Sequence, residues 1–271
     1  MKTYPRSLAL IAVICCHKPQ STVPEIGQTE PIIQELLAGN KPIDADSLEH
    51  FKETEISFLV NVIYAKHGHI FEKREYAERF FSFPWYKPRH RNVEKYLDEM
   101  DLANIETLVW HRNSIHFQNF INEKPLDLPP DLNDAERGLI GIWQPSPAMA
   151  SGWAETYSFF LNRTVAYRPN SMDCEERLIF RVGHWRLEKN ILRISWFAEA
   201  KTVGGRLEEA SGSCASEKDL VGDRPQSYRL KKKVLETLKI SRIRQDREFQ
   251  KNLMEINGSR FWQGTDDPHD Y

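Results

Sequence analysis

A change in the spacing of apolar residues constrains the fold of this 271-residue chain more than any other feature. In the first half, apolar residues recur every three or four positions, as at Ile56, Leu59 and Ile63, which is typical of a helix that buries one face. After a proline cluster at 123–134 they alternate, as at 178–182, which is typical of strands. The sequence therefore predicts an α+β chain, with a small helical domain followed by an antiparallel β-meander or small barrel.

The same signals divide the chain into predicted segments. They are a lipoprotein-type signal peptide at 1–16, a tether at 17–48 in which one short helix can dock, a helical domain at 49–122, a Pro-rich linker at 123–136, a β-rich domain at 137–264 and a tail at 265–271. With 40% hydrophobic and 28% charged residues, the composition is that of ordinary globular domains. The net charge of −2 excludes a generally basic nucleic-acid-binding protein, so no nucleic acid is expected as a partner.

The first predicted helix ends in the string Tyr64-Ala65-Lys66-His67-Gly68. Gly68 follows the last apolar residue of the pattern, where a left-handed residue commonly closes a helix. We expect Tyr64 and Phe71 to pack around this turn and His67 to hydrogen-bond across it. Two further short helices are predicted to follow and to share the same aromatic core.

This helical part resembles the YARHG domain of bacteria over residues 51–115. Lys66 stands where that family has an arginine, which keeps the charge but loses the planar fork of donors. The resemblance implies an extracellular module that occurs beside peptidase and kinase modules and has been proposed to bind cell wall, and it brings no catalytic residue. The residues that carry it are Asn61, the string 64–68, Phe71, Phe81, Pro84-Trp85-Tyr86 and Asn104-Ile105.

The N-terminus reads as a targeting segment. Lys2 and Arg6 precede an apolar run at 8–14 that is too short to span a bilayer, and the run ends at Cys15 and Cys16. This pattern predicts a bacterial lipoprotein acylated on one of these cysteines, located in the extracytoplasmic cell envelope and held to the membrane by the lipid. Ordinary secretion with cleavage nearby, and a cytoplasmic protein with a buried N-terminal helix, remain as alternatives.

The two other cysteines, Cys174 and Cys214, form an even pair. An oxidising envelope would allow them to form a disulfide, although sequence spacing alone does not establish that they meet. Neither lies in a Cys-x-x-Cys motif, so zinc binding and redox catalysis have little support.

The β-rich part resembles lipocalin-like barrels over residues 138–200. In those folds the first tryptophan plugs the closed end of the barrel, and the resemblance implies a possible carrier of a small apolar ligand. The motifs are Gly141-x-Trp143, a Phe159-x-x-Asn162-x-Thr164 turn and Gly183-x-Trp185.

No catalytic residue, metal site or cofactor is predicted. His67 and His69 have metal-ligand spacing but straddle a helix end without a completing carboxylate or cysteine. His111 and His116 are five positions apart, so they do not share a helix face as metal-binding histidines do at i and i+4. There is also no Gly-x-Ser-x-Gly nucleophile elbow and no phosphate-binding loop.

Two clusters of cations are candidate binding surfaces. Residues 224–251 hold ten Lys or Arg against three acidic residues, and the simplest interpretation of them is a solvated face. The smaller cluster combines cations with aromatic side chains that can stack on a sugar ring. Its predicted binding residues are Lys66, Trp85, Tyr86, Arg89 and Arg91.

Together these features predict a non-catalytic binding protein of the cell envelope that contacts peptidoglycan or an envelope protein. The first alternative is a lipocalin-like carrier of a small apolar ligand in the β-rich domain. The second is a hydrolase whose residues come together only in space.

Overall fold

The computed structural model describes residues 29–129, 131–148, 154–210 and 214–270. The predicted signal peptide, the two cysteines predicted to be lipidated and the first part of the tether lie outside the described residues. Within the described part, no helix combines the length and the apolar character needed to cross a membrane.

Helices occupy the N-terminal part of the chain and strands the C-terminal part, so the predicted α+β class is confirmed. The α-helices are α1 (Glu30–Ala38), α2 (Glu53–Lys66), α3 (Arg74–Phe81), α4 (Glu99–Ile121) and the single turn α5 (Asp134–Arg137), with short 3-10 helices at Ala45–Leu48 and Glu94–Tyr96. The strands are β1 (Gly141–Gln144), β2 (Thr156–Phe159), β3 (Thr164–Arg168), β4 (Leu178–Glu188), β5 (Ile191–Glu209), β6 (Lys218–Lys239), β7 (Arg244–Asp246), β8 (Lys251–Ile256) and β9 (Ser259–Thr265).

The short helical pattern within the predicted tether forms α1, which is docked on the helical domain. Ile33 and Leu36 are fully buried in the same core as α2. Pro31 lies in the first turn, where a missing N–H costs nothing, and Gly39 closes the helix with φ 62°. Proline and polar residues suggested a tether at 17–48, but the two-turn apolar face of α1 is sufficient to dock it.

Helix α2 is the centre of this domain. Its buried residues lie on most sides of the helix rather than on one stripe, which is the pattern of a helix surrounded by others. Helices α1 and α4 and a cluster of aromatic side chains pack around it. The buried residues of α2 are Ile56, Phe58, Leu59, Val60, Val62, Ile63 and Ala65.

The nine strands form one antiparallel sheet in the order β6-β5-β4-β3-β2-β1-β9-β8-β7. The sheet is not a closed barrel, so the predicted barrel was wrong. Strands β6 and β7 are its two edges, and one isolated bridge, Ile240 to Ile256, links the end of β6 to β8. Closure fails because β7 has three residues, whereas β5 and β6 have 19 and 22 and run on as a two-stranded arm.

The concave side of the sheet is filled by side chains. Trp143, Phe159 and Trp185 are fully buried in one cluster, and they occupy the space that a ligand would need inside a lipocalin-like barrel. Phe180 lies on the opposite face of the sheet, where its ring meets Phe117 of α4 at 4.9 Å between centroids. The interior is therefore a packed core, which removes the basis for the predicted carrier.

The tip of the β5–β6 arm is fastened to the β3–β4 loop. Cys174 in that loop and Cys214 at the tip form a disulfide, with their Cα atoms 5.7 Å apart. Ala215 N donates to Met172 O at 2.7 Å beside it. Asp219 approaches the two sulfur atoms, but sulfurs in a disulfide carry no thiolate charge to offer a metal.

Helix α4 connects the two domains. Its N-terminal half packs on α2, whereas Phe117, Phe120 and Ile121 are buried against the outer face of the sheet. Ile121 O also accepts hydrogen bonds from Asn162 Nδ2 at 2.7 Å and Thr164 Oγ1 at 2.6 Å. One helix therefore belongs to both cores.

The Pro-rich linker is fixed to the sheet by a buried ion pair. Arg163 donates through Nη1 to Glu136 Oε1 at 2.6 Å and through Nη2 to Oε2 at 3.1 Å. The same guanidinium donates to Pro129 O at 2.6 Å and Asp131 O at 2.7 Å. Both charged side chains are almost fully buried, so this pair holds the linker in one path.

We expect Glu136→Gln to lower stability by about 3 kcal/mol at neutral pH, because it leaves the Arg163 charge buried without its partner. Burial alone would raise the pKa of Glu136, but the bonds from Arg163 and from the Asn133 N–H outweigh it and lower the pKa. A lowered folded-state pKa contributes stability above the unfolded value of about 4.3, and this contribution is lost as the pH falls through the folded pKa.

Thermal unfolding measured from neutral to acidic pH tests this prediction. The Tm of the wild type should fall more steeply below about pH 4.3 than that of Glu136→Gln. The exposed Glu217→Gln is the matched control and should follow the wild type. If the Tm of the wild type and that of Glu136→Gln fell equally with pH in this acidic range, the proposed contribution of the Glu136–Arg163 pair would be contradicted.

Candidate functional site

Two residues of the Tyr-Ala-Lys-His-Gly string contact one buried carboxylate. Lys66 Nζ lies 2.6 Å from Asp101 Oδ1, and His67 Nε2 lies 2.5 Å from Asp101 Oδ2. The Asp101 side chain is only 2% exposed. The string thus fixes the C-terminus of α2 to the N-terminus of α4, with a cation at one helix end and an anion at the other, as helix dipoles favour.

Lys66 joins three helices rather than two. Its Nζ also donates to Leu36 O, near the end of α1, at 3.3 Å. Asp101 in turn accepts from the Asp98 N–H in a capping box at the start of α4. His67 was predicted to hydrogen-bond across the turn, whereas the structure directs it to Asp101.

Gly68 is required by the turn itself. Its φ is 79°, and a Cβ at this position would lie 2.7 Å from Lys87 O. Its carbonyl accepts from the N–H groups of Arg89 at 2.8 Å and His90 at 2.9 Å. No residue with a side chain fits this left-handed position so close to another backbone.

The predicted aromatic surface is largely core. Tyr86 is buried, and its hydroxyl donates to His69 O at 2.7 Å. Phe71 stacks on Phe80 with 4.7 Å between ring centroids, and the half-buried Trp85 packs edge-on against the same ring. Aromatic residues spaced along short helices and turns cannot be assigned to core or surface without knowing how those elements pack.

Of the five predicted binding residues, Arg89 and Arg91 are exposed and Trp85 is half-buried. Lys66 and Tyr86 belong to the packed corner instead, because each has a polar partner inside the domain. The predicted surface is therefore not one continuous patch.

An open cavity of about 520 Å³ lies beside this corner, between α2, the start of α3 and α4. We call it the arginine pocket. It brings together several cations, a histidine and a tyrosine with one carboxylate. Its lining residues are Ser57, Asn61, His69, Ile70, Phe71, Glu72, Lys73, Tyr76, Arg91 and Arg112.

Arg112 is the cation that enters this pocket from α4. Burial lowers its pKa, and the nearby charges of Glu53, Tyr76 and Tyr64 act against this effect. Among the described residues, no carboxylate lies within ion-pair distance of its guanidinium or of that of Arg91. The pocket therefore holds positive charge that the domain itself does not neutralise by direct pairing.

Neutral polar groups accompany these cations. Tyr76 hydrogen-bonds to the Asn61 side chain, and burial raises its pKa, so its hydroxyl stays protonated at neutral pH. His69 Nδ1 is buried without a partner in the described chain. Guanidinium, hydroxyl and imidazole groups around one cavity suit a ligand group that accepts several hydrogen bonds, such as a carboxylate.

Sequence reasoning identified Arg91 but missed Arg112 and Tyr76. A signal existed for Arg112, which follows the buried Leu108 and Val109 by about one turn on α4. A cation at the border of an apolar helix face is a candidate for a half-buried charge. What the sequence did not reveal is that α3 places Tyr76 opposite that face.

A chain of hydrogen bonds crosses the junction between the domains. Glu53 Oε1 lies 2.8 Å from His116 Nε2, His116 Nδ1 hydrogen-bonds to Ser227 Oγ, and Ser227 Oγ donates to Asn113 Oδ1 at 2.6 Å. Ser227 Oγ is thus shared between the His116 imidazole and the Asn113 amide, and these bonds join α2, α4 and β6.

Residues 31–110 match the YARHG domain family. The N-terminal half of the chain therefore contains a YARHG domain, as the sequence resemblance predicted, and this domain is an extracytoplasmic one. The match includes α1, the Asp101 corner and nine of the ten residues that line the arginine pocket. No curated protein and no solved structure matches the chain.

We expect Asp101→Ala to destabilise the protein by about 3–5 kcal/mol, because it leaves Lys66 and His67 without the carboxylate that both contact. Asp98→Ala, which removes only the side-chain cap of α4, should cost about 1 kcal/mol. Urea unfolding of the two variants provides the comparison. Equal losses would show that Asp101 acts only as part of the helix cap.

Proposed function

We propose that this YARHG-domain protein is a non-catalytic binding protein of the bacterial cell envelope, and that the arginine pocket receives an acidic group of its ligand. The extracytoplasmic character of the domain supports the compartment. The packed Asp101 corner supports a rigid frame for the pocket, since it fixes α2 to α4 on one of its sides.

The observation that carries the proposal is the half-buried Arg112 with no ion-pair partner in the described chain. Removing a cation from water costs free energy unless charge-assisted hydrogen bonds replace the lost hydration. A carboxylate entering the pocket between Arg112 and Arg91 would supply them. Lys73 on the rim adds a further positive charge.

The ligand class that fits best is a wall polymer with both sugar rings and carboxylates, that is, peptidoglycan. Tyr76 offers an aromatic ring beside the cations, and such a ring can stack on a sugar while a guanidinium holds an acid. An acidic segment of an envelope protein would use the same cations but would not need the aromatic ring.

The proposal includes attachment to the membrane through a lipid on Cys15 or Cys16, outside the described residues. We expect the protein from the membrane fraction to begin at one of these cysteines and to carry acyl chains, which intact-mass measurement would detect. An unacylated mature chain released from the membrane would instead support ordinary secretion.

The chain of hydrogen bonds through Ser227 has a structural role in the proposal. It links Glu53 of α2, His116 and Asn113 of α4, and Ser227 of β6. The function of this chain of bonds is then to hold α2, α4 and β6 together.

Co-sedimentation with purified peptidoglycan tests the proposal. Arg112→Gln should weaken binding about tenfold, because a charge-assisted hydrogen bond is worth about 1.5–3 kcal/mol. Arg74→Gln is the matched control, since Arg74 is an exposed arginine on α3 that pairs with Glu78 and does not line the pocket.

Circular dichroism of both variants should match that of the wild type, which separates loss of binding from loss of fold. Binding should also weaken as salt is added, because the contacts are ionic. Wild-type binding by Arg112→Gln, or no binding by the wild type, would overturn the peptidoglycan assignment. If the protein bound an acidic envelope protein but not peptidoglycan, the ligand of the arginine pocket would be a protein partner instead.

A further inference from the structure

A second cavity lies on the outer face of the sheet, in the other domain. Helix α4 covers one part of this face and ends at Ile121. The chain then crosses β4, β5 and β6 as segment 123–128 and leaves an open cavity of about 370 Å³ beneath it. We call this the linker cavity, and its volume is within the range of about 300–1,000 Å³ found for small-molecule sites.

The linker cavity has an apolar wall on each side. Leu235 of β6 is 80% exposed, and Leu126 of the crossing segment is 99% exposed. A single exposed leucine is ordinary, but here the two lie on facing walls of one cavity, with Leu128 beside them. An apolar ligand between them would remove both side chains from water.

The strand register defines the floor. His184 of β4 pairs with Ser195 of β5, which pairs with Leu235 of β6. Lys233 lies two residues before Leu235 on β6, next to a register shift of this strand, and both residues line the cavity. The positive charge of Lys233 therefore lies beside the apolar side chain of Leu235 in the same cavity.

Most other charges that line the cavity already have partners. Arg186 and Arg193 both pair with Glu188, at 3.3 and 3.1 Å. Glu236 accepts from Trp196 Nε1 at 2.7 Å. Of the other charged lining residues, Lys124 and Asp127 are exposed on the crossing segment, and Lys233 lies on β6 beside Leu235.

Lys233 differs from the paired charges. Across the described ranges, no carboxylate lies within ion-pair distance of its ammonium group. Glu123, which also lines the cavity, is held by Arg229. Next to it, the His184 ring hydrogen-bonds to the backbone of Glu123, and its Nε2 is buried without a partner.

We infer that the linker cavity binds a small amphipathic carboxylic acid. Its apolar body lies between Leu126, Leu128 and Leu235, and its carboxylate pairs with Lys233. The site is separate from the arginine pocket and lies on the opposite side of the sheet from the packed tryptophan interior. It gives the β-rich domain a ligand of its own, whatever the YARHG domain binds.

Calorimetric titration of the full chain with decanoate and with decanol tests this inference. Decanoate should bind, and decanol, which has the same apolar body but no charge, should bind about tenfold more weakly. Lys233→Gln should weaken decanoate binding to the level of decanol. Lys232→Gln is the matched control, since Lys232 is an exposed neighbour on the same strand that does not line the cavity.

Leu235→Asp should weaken decanoate binding at least about tenfold, because it removes apolar contact and adds a repelling charge. The altered side chains are exposed in the unliganded protein, so the variants should fold. Absence of decanoate binding, equal binding of decanol, or equal effects of Lys233→Gln and Lys232→Gln would overturn the inference. Unchanged peptidoglycan co-sedimentation by Lys233→Gln would separate this site from the arginine pocket.

Discussion

The shared carboxylate of Asp101 is the interaction on which the helical domain depends. It receives Lys66 and His67 from the end of α2, and Lys66 also reaches the last turn of α1. Three helix ends thus meet at one buried charge. Such a charge is costly without partners and specific with them, so it permits only one arrangement of these helices. The family string is therefore primarily an architectural motif, and the binding surface lies beside it.

The position of the arginine pocket follows from that arrangement. Helix α2 supplies Asn61, the segment after Gly68 supplies His69 and Phe71, and α4 supplies Arg112. Each element is fixed at or near the corner, so the pocket has rigid walls. Because α4 also packs on the sheet, the pocket and the β-rich domain share one rigid support.

Much of the fold could be predicted from the sequence because it depends on local pattern. Helical spacing identified α2, and alternation identified β4. The sequence predicted an antiparallel meander but did not decide whether it closes into a barrel, because closure depends on how the edge strands β6 and β7 lie relative to each other. The short helix α1 was anticipated within the predicted tether, because its apolar residues have helical spacing despite their proline and polar neighbours.

Candidate binding residues were harder to predict than the fold. Arg91 was identified because it lies close to Trp85 and Tyr86 in the sequence. Lys66 was predicted to lie on the binding surface, whereas it pairs with Asp101, which is 35 residues away in the sequence. A lysine in a sequence does not reveal an ion-pair partner at that distance. Arg112 comes from a different helix, so only the packing of α2 against α4 reveals that it belongs to the site.

The length of α4 determines where the helical domain could be cut from the rest of the chain. The YARHG match ends at residue 110, in the middle of this 23-residue helix. The half beyond that point carries Arg112 of the pocket and the phenylalanines that pack on the sheet. A fragment cut at the family boundary would lose a pocket residue and about three turns of the helix that supports Asp101. In this chain the unit shared with the family is thus shorter than the unit that must fold together.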